Sequence, residues 1–217
     1  MHLKPDFKKA YILANEMLVA AHCIKSFPFD VAEFIKEQTD LKFCSYKKAF
    51  EKYGIICKDL GSDSAVLVTK NGRNIVFYNQ DEYDARDPFN KLHETGHFLS
   101  GHKTNLPEDD PLYGIQEVET NYFAAEMLMP LPVLNEINRR GYRITTSFLQ
   151  KNFGVSYSTA ERRIKTLNST IYLKGEEKMF DDIIVAKFKN FIDMVAPLKD
   201  EYPSCWDDPM QAERDLW

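Results

Sequence analysis

The sequence predicts an α+β fold, a small sheet accompanied by a larger set of helices. Three observations predict it. The run AVLVTK-NG-RNIVFYN, residues 65–79, sets two β-rich segments either side of Asn71-Gly72, the dipeptide that a type I′ hairpin turn demands. Apolar residues recur at helical spacing in several stretches outside that hairpin. Just after it, Asp87-Pro88 reads as a helix cap with proline at the first helical position, and Gly101 reads as the stop. With 217 residues, 44% of them hydrophobic and 28% charged, the chain can bury a core without disulfides.

The elements follow in order. From Asp6 to about Lys25, the residues Phe7, Ala10, Ala14, Met17, Leu18 and Ala21 share one helical face. Asn15, Glu16 and His22 interrupt the apolar part, so the stretch reads as a surface helix and not as a secretion signal. Pro28-Phe29-Asp30 breaks the chain and caps a short helix, VAEFIKEQ. LKFCSY, residues 41–46, reads as a first strand, with the hairpin after it. A polar loop, QDEYDARD, leads to a helix over 88–101. The proline-rich segment 103–114 reads as a loop, and 115–130 as a second helix ended by Pro130 and Pro132. Residues 145–168 read as two short helices around a Gly-Val-Ser turn, and 176–195 as a last amphipathic helix before an acidic tail, 200–217. The expected division is 1–135 and a helical part, 136–217.

Composition excludes some functions. The four cysteines, Cys23, Cys44, Cys57 and Cys205, form no CxxC pair, which argues against a zinc ribbon or disulfide framework and suits a reducing cytosol. No run approaches the ~20 apolar residues of a membrane span. A net charge of −5 leaves no chain-wide nucleic-acid footprint. Between 139 and 168, however, Arg139, Arg140, Arg143, Lys151, Arg162, Arg163 and Lys165 face one acid, Glu161. That segment reads first as a docking surface or a solvated face. Duplex DNA is the less favoured reading, since the rest of the chain would repel phosphate.

The chemistry is concentrated in KLHETGHFLSGH, residues 91–102, where three of the five histidines lie. On a helix His93 and His97 face the same way, so both imidazoles can reach one ion. Glu94, one residue round, can hold water at that ion and act as general base. Imidazole pairs favour zinc, and iron, manganese and cobalt also suit them. A third protein ligand is needed. The pattern HExxHxxGxxH fails, because position 103 is Lys103 and not histidine. On the second helix Glu117, Asn121, Ala124 and Leu128 share a face. Glu117 is the preferred carboxylate ligand, with Glu119 and His102 as alternatives. Asn121 can bond the free nitrogen of a liganding histidine. Ala124 and Ala125 are small enough for two helices to approach closely.

HETGHFLSGH followed by EVETNYFAAEMLMP, 117–130, resembles the ImmA/IrrE metallopeptidases, whose second block reads E-x-E-A-N-x-F-A-A-x-L-L-M-P. Thr120 stands where that pattern has alanine, and Met127 where it has leucine. The hairpin, Arg86 before the motif helix, and FLQKNFGVSYSTAERRIKTLN are also similar in order. The resemblance implies a zincin-like fold with a helix-turn-helix-like segment at 145–168. It implies a gluzincin-like zinc site of His93, His97 and Glu117, with Glu94 as base. It implies an intracellular protease of mobile elements or stress circuits that cuts a helix-turn-helix repressor. With no room for a DNA-binding domain before residue 28, that repressor is expected to be a separate protein. The strand NIVFYN is expected to form the edge of the substrate cleft. Tyr113, Tyr122, His102 and Arg143 are the candidate donors to a transition-state oxyanion. Two rivals stand beside this reading: a metal-bearing protein that holds a repressor without cutting it, and a DNA-binding regulator using 145–168.

Overall fold

The computed structural model describes residues 4–61, 64–70, 72–81, 87–103, 106–168 and 180–198. Arg86, Asn71, residues 176–179 and the acidic tail lie outside them. Helix α1 (Phe7–Ala20) starts where the Asp6 carboxylate accepts from the Lys9 N–H at 2.9 Å, and it buries Tyr11, Ala14 and Leu18. Helix α2 (Val31–Gln38) matches its expected span, with Asp30 accepting from the N–H groups of Ala32 and Glu33. Strand β1 (Lys42–Ser45) runs directly into α3 (Tyr46–Tyr53), a helix the sequence reading passed over. Its signals are local: the Ser45 hydroxyl accepts from the Lys48 N–H, and Gly54 stops the helix at φ +65°.

Strands β2 (Ala65–Lys70) and β3 (Arg73–Tyr78) form the expected hairpin. The sheet order is β1-β3-β2. Strand β3 runs parallel to β1, with Phe43 opposite Val76, and antiparallel to β2, with Leu67 opposite Val76. This overturns the expectation that NIVFYN is the cleft edge. Both sides of β3 are paired, and β1 and β2 stand at the two edges, with β2 on the side of α4. Alternation identifies a strand, but it does not say which strand sits in the middle.

Helix α4 (Asp87–Ser100) carries the histidines and packs on β2, α2 and α5. Helix α5 (Pro111–Leu128) begins inside the stretch expected to be a loop. Asp110 caps it by accepting from the Leu112 N–H at 2.8 Å, and Pro111 takes the first position. Helix α6 (Leu131–Arg139) was not expected, because Pro130 and Pro132 read as a stop. A proline in the first turn removes only an N–H that no helix would use. The Leu131 N–H instead reaches Glu126 Oε1 at 2.8 Å. Helices α7 (Thr146–Phe153) and α8 (Tyr157–Asn168) flank the Gly154 turn as expected. The single last helix is two, α9 (Asp181–Lys187) and α10 (Lys189–Val195), with a turn at the buried Phe188.

One core joins these parts. The Phe27 ring meets those of Phe153, Phe188 and Phe191 at centroid distances of 5.3, 4.7 and 5.2 Å. The fully buried Glu126 on α5 pairs with the fully buried Arg163 on α8, which also donates to the Met129 carbonyl. Packing therefore runs across position 135. No helix among the described residues is long and apolar enough to cross a membrane.

Candidate metal centre

His93 and His97 lie one turn apart on α4, and their Nε2 atoms approach to 3.1 Å. Glu117 on α5 meets both: Oε2 lies 3.3 Å from His93 Nε2, and Oε1 lies 3.2 Å from His97 Nε2. One proton can bridge one pair of such atoms; a metal ion can bridge all three. Around a tetrahedral ion with bonds of about 2.1 Å, ligand atoms stand about 3.4 Å apart. The spacing therefore fits a small first-row ion. Two imidazoles and one carboxylate also suit such an ion, whereas calcium takes six or more oxygens. Among the described residues, His93, His97 and Glu117 form a group that can hold a metal ion.

Gly96 allows the two helices to come this close. A Cβ there would stand 2.9 Å from Phe123 Cδ1 and 3.3 Å from Thr120 Cγ2. The small residues Ala124 and Ala125 suggest that role from sequence; the tight approach is at the glycine inside HETGH. Asn121 lines the cleft, and its side chain helps to raise the pKa of His93. Thr120, singled out only as a departure from a pattern, is buried at the centre. Its hydroxyl donates to the Gln116 carbonyl at 2.9 Å and lies 3.4 Å from Nε2 of both His93 and His97.

The charges are strongly coupled. Burial works to raise the Glu117 carboxyl, yet the bonds and charges of His93 and His97 hold it far below the carboxylate range. Burial works to lower His93, but the bond to Glu117 and the charge of Glu94 raise it. Burial pushes the Glu94 carboxyl up, against His93, His97 and a backbone bond. That bond comes from the edge strand: the Leu67 N–H donates to Glu94 Oε2 at 2.8 Å.

A cleft of about 550 Å³ opens over these groups. Ala65, Val66 and Leu67 of β2 form one wall, Phe89 lies nearby, and Lys103 and Arg162 bring positive charge. Of the four oxyanion candidates, Tyr113 lines this cleft, and the charge of Glu117 together with burial raises its pKa. Tyr122 is buried against Phe7 and Arg163. His102 lies behind His97, its Nδ1 3.2 Å from His97 Nδ1. Arg143 is exposed and does not line the cleft. Glu119 does not join Glu117; it meets His102 Nε2 at 3.0 Å.

Part of the basic stretch is paired with acids. Arg163 is buried on Glu126, Arg139 and Arg140 share Glu136, and Arg140 also reaches Asp193. Arg162, hidden within that run in the sequence, turns to the cleft. A search of curated proteins finds no match to the chain. The family model Peptidase_M78, described as the IrrE N-terminal-like domain, matches residues 55–165, which span the edge strand, the histidine helix, Glu117 and most of α8. The chain belongs to this family, and its function is of the metallopeptidase type.

Proposed function

We propose that the protein is a cytoplasmic zinc metalloendopeptidase that cleaves a helix-turn-helix transcriptional repressor and so derepresses mobile-element or stress genes. The position of Glu94 carries the hydrolytic part of this reading. It neighbours the three candidate ligands without joining them, and a strand at the cleft wall fixes one of its oxygens. Zinc supplies a Lewis acid that acidifies water and polarises a peptide carbonyl. Glu94 is the base. It takes a proton from water as the new C–O bond forms, and delivers it to the amide nitrogen as the C–N bond breaks. Tyr113 keeps its proton and donates to the carbonyl oxygen as negative charge develops there. Asn121 orients His93.

The outer edge of β2 receives the substrate. An extended peptide can lie along the wall of Ala65, Val66 and Leu67, with the Leu67 N–H held by Glu94, and such a site selects a chain segment that is unfolded locally. A linker in a repressor has that property. The test is a trap, comparing tagged wild type with Glu94→Gln in the source cells and identifying co-purified proteins by mass spectrometry. Repressor held whole by Glu94→Gln and recovered as fragments with wild type supports the proposal. The same partner whole with both forms would sink cleavage and leave a metal-stiffened holding protein.

A further inference from the structure

We propose that His102 and Glu119 are positioning residues for the metal centre, acting through His97. The proposal rests on the reading of His93, His97 and Glu117 as ligands. His97 directs Nε2 at His93 and Glu117, so its Nδ1 faces the other way and meets His102 Nδ1 at 3.2 Å. Two ring nitrogens at that distance need one hydrogen between them. An imidazole that offers its Nε2 lone pair to an ion carries its hydrogen on Nδ1. His97 therefore donates, and His102 Nδ1 accepts. The remaining hydrogen of neutral His102 is then on Nε2, 3.0 Å from Glu119 Oε2, which can only accept. Glu119 Oε1 accepts in turn from the Asp6 N–H, 2.7 Å away at the start of α1.

The result is one directed chain: Asp6 N–H to Glu119, His102 to Glu119, and His97 to His102. Only one assignment of hydrogens satisfies every contact. The side chains of His102 and Glu119 are 7% and 15% exposed, so water competes weakly for these bonds. Glu119 must accept from two donors, one on each oxygen. Glutamine has a single carbonyl oxygen there and would turn an N–H₂ toward one of those donors. The chain thus fixes the His97 tautomer and ring plane, and it ties α1 to the centre. A second tie runs from Lys9 Nζ to the Ser100 carbonyl at 3.3 Å.

The test uses the full-length protein and zinc alone, measured by competition with a chromophoric chelator. Glu119→Gln and His102→Phe should each weaken zinc binding by about 10–100-fold. The double variant should bind no more weakly than the worse single, because both act through one chain. His102→Gln, which can accept at one atom and donate at another, should recover part of the loss. The visible spectrum of cobalt-loaded protein should shift with Glu119→Gln, a change that loss of the tie to α1 alone would not produce. Should His102→Phe fail to fold, Glu119→Gln decides by the same readings. Zinc affinities within twofold of wild type, or losses that add in the double variant, would overturn the proposal. Wild type that binds no zinc removes the ligand reading itself and the proposal with it; the two failures are distinct.

Discussion

Gly96→Ala tests whether the spacing of α4 and α5 sets the metal centre. Two effects oppose each other. Alanine in a helix interior is favoured over glycine by about 1 kcal/mol. The new Cβ, however, would meet the buried Phe123 ring at 2.9 Å and Thr120 at 3.3 Å. Against a normal carbon contact of about 3.5 Å, the shortfall at Phe123 is about 0.6 Å. Overpacking of this kind costs about 1–3 kcal/mol. Zinc-free protein should therefore lose no more than about 2 kcal/mol once propensity is set against strain. The metal should register the change more sharply. Relief of the clash moves α5 away from α4, and ligand distances tolerate only about 0.2 Å. We expect zinc affinity to fall at least about tenfold, or 1.4 kcal/mol. Urea unfolding with and without zinc separates the two terms. A variant that binds zinc as wild type does, and is more stable without it, would show that propensity wins and that Gly96 does not set the spacing.

Tyr113→Phe should lower kcat by about 10²–10³-fold on a cleaved substrate while leaving zinc affinity alone, as loss of one oxyanion donor does; an unchanged kcat would assign the donor elsewhere, with Arg162 next to be tested. Glu37 gives a pH-dependent prediction. The Cys23 side chain, the His22 N–H and the Cys23 N–H lower its carboxyl to about 2. An unfolded glutamate titrates near about 4.3. The group whose folded pKa is depressed contributes fully above the unfolded value and loses that contribution as pH falls toward the folded one. Wild type should therefore exceed Glu37→Gln in unfolding midpoint at pH 7, and the gap should shrink from about pH 5 down to about pH 2; a constant gap would show that charge is not its source.

Much of the site could be read because helices impose their own geometry. The four-residue step from His93 to His97 and the shared face of Glu117 and Asn121 need no tertiary knowledge, and the folded chain brings these side chains together. What escaped depended on order or on distance. A run such as NIVFYN announces a strand and says nothing of its neighbours, so the sequence does not place β3 between β1 and β2. Pro132 looked like a stop because the residue that receives the Leu131 N–H is Glu126, whose role appears only once α5 has turned into α6. Arg162 and Arg163 are adjacent and identical in the sequence, yet one lines the cleft and the other is sealed on Glu126. Charge counting treats them alike; packing separates them.

That separation bears on the boundary at 135. Cutting the chain there would remove Arg163 and leave Glu126 without its partner. Loss of one member of such a pair costs about 3–5 kcal/mol. The same cut would bare Phe27, which Phe153, Phe188 and Phe191 cover. Exposing a large apolar side chain adds about 1.5–3 kcal/mol. Together these losses match the lower part of the range of a typical stability, about 5–15 kcal/mol. Residues 1–135 alone should therefore show no cooperative unfolding, even though they contain His93, Glu94, His97 and Glu117. Zinc would then have no preformed cradle to enter, and added zinc should not restore a transition. A fragment 1–135 that melts cooperatively and binds zinc with wild-type affinity would refute this, and would make the C-terminal helices an attachment to a centre that stands by itself.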